Sequence, residues 1–302
     1  MVKRPFTKQA TTHAQQIELL RARGLHIEDQ HQAEHWLAHI NYYRLSAYWQ
    51  PFEADRLTHR FNPGTRLQQV MDVYVFDREL RLLLLDAIER FEVSMRTRWA
   101  YHLAHDHGPH AHLRADLSRK SGYFQSNLEQ LHKEIQRSEE PFIRHFAQTY
   151  LEAIPPTWVS CEVMSLGLLS RWYGNLKPGV TRRNIARSYG IDEAVLESWL
   201  HHLTYLRNLC AHHSRVWNRE FTILPMLTRS KPENLRGQWQ QGHRKIYNTL
   251  LILQHLMSVV APGSHWHARL KSLIHASVIN TATMGFPQDW TTRPVWNEDT
   301  TP

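Results

Sequence analysis

Along most of this chain apolar residues recur every three or four positions, with no sustained run of strict alternation, so the pattern predicts helices throughout. The first carries Ile17, Leu19 and Leu20 and stops at Gly24, a residue suited to the position just past a helix C-terminus. A second places Ala33, Trp36, Leu37 and Ile40 on one face. It leads into the aromatic run Tyr42, Tyr43, Tyr48 and Trp49, whose helical spacing favours core packing over base stacking. Phe52 to Gly64 reads as a loop closed by a Pro-Gly turn. From Leu67 to Ala104 a stripe of Val70, Val73, Leu80, Leu84, Ala87, Phe91, Met95 and Trp99 runs without Gly or Pro, which predicts one long central helix. Within it Phe76, Asp77, Arg78 and Arg81 could serve RNA or a dimer contact, against the plainer reading of buried ion pairs. Further helices are expected over 126–137, 142–152, 159–172, 184–188, 192–211, 236–260 and 264–276. The predicted fold is all-α: an N-terminal helical region (1–64), a main helical domain (65–280) and a Trp- and Pro-bearing tail (281–302).

Composition narrows the class. A hydrophobic fraction of 42%, with 11 Trp, 11 Tyr and 10 Phe, excludes a disordered chain. Lys and Arg number 36 against 28 Asp and Glu, and a net charge of +8 favours a polyanionic partner, nucleic acid first. The two cysteines, Cys161 and Cys210, form no CxxC pair, which fits a reduced, cytoplasmic setting. The N-terminal residues lack the apolar core of a secretory signal. No apolar stretch reaches the ~20 residues of a membrane span, so no membrane partner is expected. The cluster His102, His105, His107, His110 and His112 could clasp a metal. Without cysteine or a second ligand set it reads as a solvated turn, and no metal or other cofactor is expected.

The chemistry gathers in "LRNLCAHHSRVWNR", Leu206 to Arg219, at the end of the 192–211 helix. At about 100° per residue Asn208 and His212 share a face, and Arg207 lies one step round with a side chain long enough to reach over. The three offer a guanidinium fork for phosphate oxygens, an imidazole for protons and an amide to orient either. That set suits metal-independent RNA cleavage, in which a ribose 2′-OH attacks its own phosphate. A base must take the hydroxyl proton, an acid must protonate the leaving oxygen, and a cation must hold the charge. One copy supplies one such histidine, so the acid–base pair calls for two copies across a two-fold axis. His213, Arg215 and Trp217 interleave basic and aromatic groups as a single-stranded RNA path would, with Trp217 in the core as the competing reading. Arg219 is grouped with them as RNA-binding. Glu162, among core-like Trp158, Val159, Val163 and Leu166, is read as the partner of a buried cation, Arg207 first. Its supporting roles would be to orient that arginine or to move a proton.

Arg207-Asn208-x-x-x-His212 resembles the RNxxxH motif of HEPN domains, helical folds whose active members are RNases working as dimers. Longer segments are similar to the Abi family of abortive-infection proteins, of the AbiD/AbiF type. They include "INYYRLSAYWQPF", "VYVFDRELRLLLLDAIERFEVSMRTRWAYHL", "PPTWVSCEVMSLGLLSRWYGNL", "SWLHHLTYLRNLCAHHSRVWNR" and "MGFPQDW" with "PVW". The resemblance implies a HEPN-like bundle and an antiphage, toxin-like endoribonuclease, released from restraint during infection. It implies catalytic roles for Arg207 and His212 with Asn208 in support, a homodimer, and an antitoxin-like RNA or protein partner. The alternative is a non-catalytic HEPN protein that binds RNA or a partner.

Overall fold

A computed structural model describes residues 5, 7, 9–227, 232–277 and 279–297. Residues 1–4, part of the stretch read for a leader, and 298–302, the end of the expected tail, lie outside them. The described residues are predominantly helical, as the periodicity predicts, with one small hairpin. They divide into two compact units, Met1–Glu79 with His275–Ile279, and Leu80–Ile274 with Asn280–Pro302.

The first unit holds α1 (His13–Ala22), α2 (Gln30–His39), α3 (Tyr42–Trp49) and the start of α4 (Leu67–His107). Thr12 and Gln15 close a capping box at the head of α1. Past its end Gly24, at φ 92°, takes the left-handed turn. The aromatic run divides: Tyr48 and Trp49 are buried, whereas Tyr43 is exposed. The Tyr48 hydroxyl donates to Asp77 Oδ2 at 2.7 Å, so Asp77 is a core residue, not a surface contact for RNA. The expected loop from 52 to 64 contains a two-stranded antiparallel hairpin, β1 (Glu53–Asp55) and β2 (Arg60–Phe61). Asp55 builds its turn by accepting from the Leu57 N–H and the Thr58 hydroxyl, while Phe61 buries its ring.

In the second unit α4 buries Leu80, Leu84, Ala87, Phe91, Met95 and Trp99, the predicted stripe. There follow α5 (Ser121–Arg137), α6 (Pro141–Thr149), α7 (Thr157–Ser160), α8 (Leu166–Asn175), α9 (Val180–Arg187) and α10 (Glu193–Ala211). Next come α11 (Glu233–Arg236), α12 (Tyr247–Val260), α13 (Trp266–Ala276) and α14 (Pro294–Asn297). Two expected helices are broken. The 159–172 segment leaves helical geometry at Met164, and Ser165 caps a new start by accepting from the Leu168 N–H. The 236–260 segment is interrupted where Gly242 turns at φ 71°.

The histidine-rich stretch is not a solvated turn. His112 is buried and shares a hydrogen bond with Thr157 at 2.9 Å, and His107 one with Thr181 at 3.0 Å. Burial, with His110 adding its charge, pushes the His112 imidazole down to about 3. From 281 onwards Met284, Phe286, Trp290 and Trp296 are buried, with Tyr247 against both Phe286 and Trp296.

Candidate functional site

The site is built on α10, and the core grips this helix along its length. Val195, Leu196, Trp199, Leu200, Leu203 and Leu206 are wholly buried, the broad apolar face its sequence prescribes. Trp199 Nε1 donates to the Met226 carbonyl at 2.9 Å. His202 Nδ1 lies 2.7 Å from the Ile223 carbonyl, which can only accept, so that nitrogen carries the proton. Nε2 then accepts from the Thr249 hydroxyl on α12, 2.9 Å away. Burial drives this ring down to about 4, the Ile223 carbonyl opposing and His201 adding, so it stays neutral and serves as a pin.

Near the start of the helix, Glu197 pairs with Arg182 and, at 3.3 Å, with Arg119. Arg182 is almost wholly buried. It donates to the carbonyls of Tyr173, Gly174 and Leu176 at 3.1, 3.2 and 2.9 Å, and its guanidinium lies 4.9 Å from the Tyr173 ring centroid. It thereby satisfies the free carbonyls that end α8 and fastens them to α10.

The far end of α10 closes on the motif. His212 is the C-cap, His213 follows at φ 56°, and the Ser214 N–H reaches back to the Leu209 carbonyl at 2.8 Å. Asn208 and His212 are exposed on one face. Arg207 is half-buried, about 140° round the helix from His212 by the 100° step. Among the described residues no hydrogen bond or ion pair engages the side chains of Arg207, Asn208 or His212. The fold thus brings Asn208 and His212 together and sets Arg207 on the flank.

Two expectations change. Glu162 is not the partner of Arg207: its Oε2 lies 3.7 Å from Arg96 Nη1 on α4, and the carboxylate is half-exposed. The helix break at Met164 allows this, since Arg96 also donates to the Met164 carbonyl at 2.8 Å. Trp217 is 4% exposed and cannot stack on a base; it plugs the core beside Val216. Its neighbours are tied down as well. Arg219 Nη1 donates to the Arg215 carbonyl at 3.3 Å. Burial raises the Tyr205 phenol, but hydrogen bonds with Thr222 and Arg219 outweigh it and leave the group below its ordinary value.

One residue the sequence did not flag secures this loop. Lys245 Nζ donates to Asn218 Oδ1 at 2.6 Å and to the Asn218 carbonyl at 3.3 Å, holding Asn218 at φ 49°. Burial pushes the Lys245 ammonium down; Glu220 opposes this and Arg215 adds to it. The nearest sequence signal was Asn218 itself, a residue that tolerates left-handed geometry.

The profile of the Abi-like protein family matches residues 35–218. This chain belongs to that family. A comparison with curated proteins gives no match, and neither does one with solved structures. In this Abi-like chain the matched span ends at Asn218, so it contains the whole Arg207–His212 motif and leaves Lys245 and α12 outside. Among the described residues no cluster of three or more His, Cys, Asp or Glu is placed to hold a metal ion. No helix there is long and apolar enough to cross a membrane.

Proposed function

We propose that this Abi-like chain is a HEPN-type, metal-independent endoribonuclease of an abortive-infection, toxin-like system, acting as a homodimer. One observation carries the reading. Arg207, Asn208 and His212 have no partners within the described chain, although they end a helix gripped firmly everywhere else. Groups left unspent on a rigid element are what a preorganised site requires.

In the reaction, one neutral histidine takes the proton of the ribose 2′-OH as O2′ attacks the adjacent phosphorus. The P–O5′ bond breaks, and a second, protonated histidine gives its proton to O5′. The products are a 2′,3′-cyclic phosphate and a free 5′-OH. Arg207 holds the charge on the non-bridging oxygens. The angular separation of Arg207 from His212 within one chain favours a composite cleft, with the guanidinium of one copy facing the imidazole of the other. The same separation also favours the second reading, a protein that grips RNA phosphates without cleaving them.

The deciding experiment incubates labelled RNA with the protein in excess EDTA, beside Arg207→Ala and His212→Ala. Cleavage to 2′,3′-cyclic phosphate ends is expected, reduced at least 100-fold in both variants. Activity that survives His212→Ala, or that returns only with Mg²⁺, defeats the mechanism. The rate profile should be bell-shaped with pH, one ring neutral and one protonated. Sedimentation showing a strict monomer at fully active concentrations overturns the composite cleft.

A further inference from the structure

The first half of α10 forms one wall of an open groove of about 670 Å³, shared with α5 and α8. Three cations face it: Arg119, Lys120 and Arg171. The one carboxylate among its described lining residues, Glu197, is already held by Arg182 and Arg119. Tyr123 is 60% exposed on the rim, with Lys120 Nζ 5.2 Å from its ring centroid. Deeper in the groove Asn127 is 2% exposed, and among the described residues its Nδ2 has no hydrogen-bond acceptor. A buried N–H left without an acceptor costs on the order of 1–3 kcal/mol, and a ligand oxygen placed there would recover that cost.

The groove also has a direction. Ala194, Glu197, Ser198 and His201 line it from α10 at helical steps of three and four. Continued at the same steps, that face carries Tyr205, Asn208 and His212, none of them buried. At 1.5 Å per residue the distance from His201 to His212 is about 16 Å, the span of a few nucleotides. One uninterrupted helix face therefore leads from an aromatic and cationic groove to the candidate histidine.

We propose that this groove is the track of a single-stranded RNA. A base lies on Tyr123, a base carbonyl accepts from Asn127 Nδ2, and phosphates lie on Lys120 and Arg171. The strand then follows α10 to His212. This deepens the ribonuclease reading and rests on it. The chemistry selects a single strand, because a duplex hides the base faces that Tyr123 would stack on and the carbonyl that Asn127 would meet.

The test measures fluorescence anisotropy of a labelled single-stranded RNA with the full chain carrying His212→Ala, in EDTA, with and without Tyr123→Ala, Asn127→Leu or Arg171→Glu. Tyr123→Ala is expected to weaken binding about tenfold, a typical loss for one stacked base. Arg171→Glu should weaken it and flatten its salt dependence. Affinity for duplex RNA should be low and insensitive to Tyr123→Ala. Circular dichroism on each variant checks that it is folded, and Tyr123, on the rim, is the variant least able to disturb the core. Folded groove variants that bind as tightly as the parent overturn the track, and so do variants that instead dissociate a dimer in sedimentation. The two readings fail separately. Unchanged binding beside RNA cleavage by the His212 protein removes the track alone. Weakened binding beside an absence of cleavage removes the ribonuclease alone.

Discussion

His213 occupies at the end of α10 the left-handed position that Gly24 fills at the end of α1, and both ends close the same pair of backbone bonds. At α1 the Gly24 N–H reaches Arg21 and the Leu25 N–H reaches Leu20; at α10 His213 reaches Cys210 and Ser214 reaches Leu209. A side chain in that geometry costs about 1 kcal/mol relative to glycine. Strain kept beside a candidate site points to a use for the imidazole. His213→Gly should therefore raise the thermal midpoint by a degree or two while lowering RNA cleavage about tenfold. A variant that is more stable and still fully active would reduce His213 to a helix stop. The two neighbouring histidines thus differ in kind: His212 extends the exposed face of α10, and His213 pays a backbone penalty to be present.

At the scale of elements, the loop after α10 depends on a contact between segments far apart in the chain. Gly285, at φ 83°, packs so closely that a Cβ would fall 2.7 Å from Lys245 Cβ, and Lys245 in turn holds Asn218. Gly285→Ala should cost about 2–3 kcal/mol in urea unfolding, from the clash and the strained backbone together. In a Lys245→Gly background the penalty should shrink, and a cycle showing full additivity would reject the contact as its cause. This is also where sequence reading reaches its limit. The row Leu196, Trp199, Leu200, Leu203 and Leu206 prescribed α10 because burial and helical period coincide there, and the spacing of Asn208 and His212 followed from it. The break before α8 was hidden, since apolar spacing continues through a turn that only the Ser165 cap reveals. A lone aromatic after a helix end, as Trp217 is, has no period from which to read its burial. Arg182 is an arginine in a polar segment, and only the fold shows it capping α8 from inside. The groove left a trace that went unused: a basic pair, Arg119 and Lys120, just ahead of Tyr123.

For the whole molecule, the buried histidines set the pH range in which any activity can be read. Burial holds His112 down to about 3 and His202 to about 4, and also lowers His102, His255 and His267. His112 and His202 therefore stay neutral in the fold down to about pH 4, and all five rings take a proton more readily, near 6.5, once unfolded. Below that value the unfolded chain binds more protons, so the stabilisation is complete above about pH 6.5 and falls as pH drops toward 4. His202 alone, held down to about 4, accounts for roughly 3 kcal/mol across that window, a large part of a typical folding free energy. Urea midpoints measured from pH 7.5 down to 4.5 should fall steadily, and the fall should be shallower in His202→Asn, which starts less stable but has one fewer proton to take up. A midpoint flat between pH 7 and 5 would contradict this linkage. The consequence reaches the proposed ribonuclease reading, because a loss of rate below pH 6 would report unfolding as readily as protonation of the proposed base. The acid limb of the bell should therefore be assigned only at pH values where the urea midpoint shows the chain still folded.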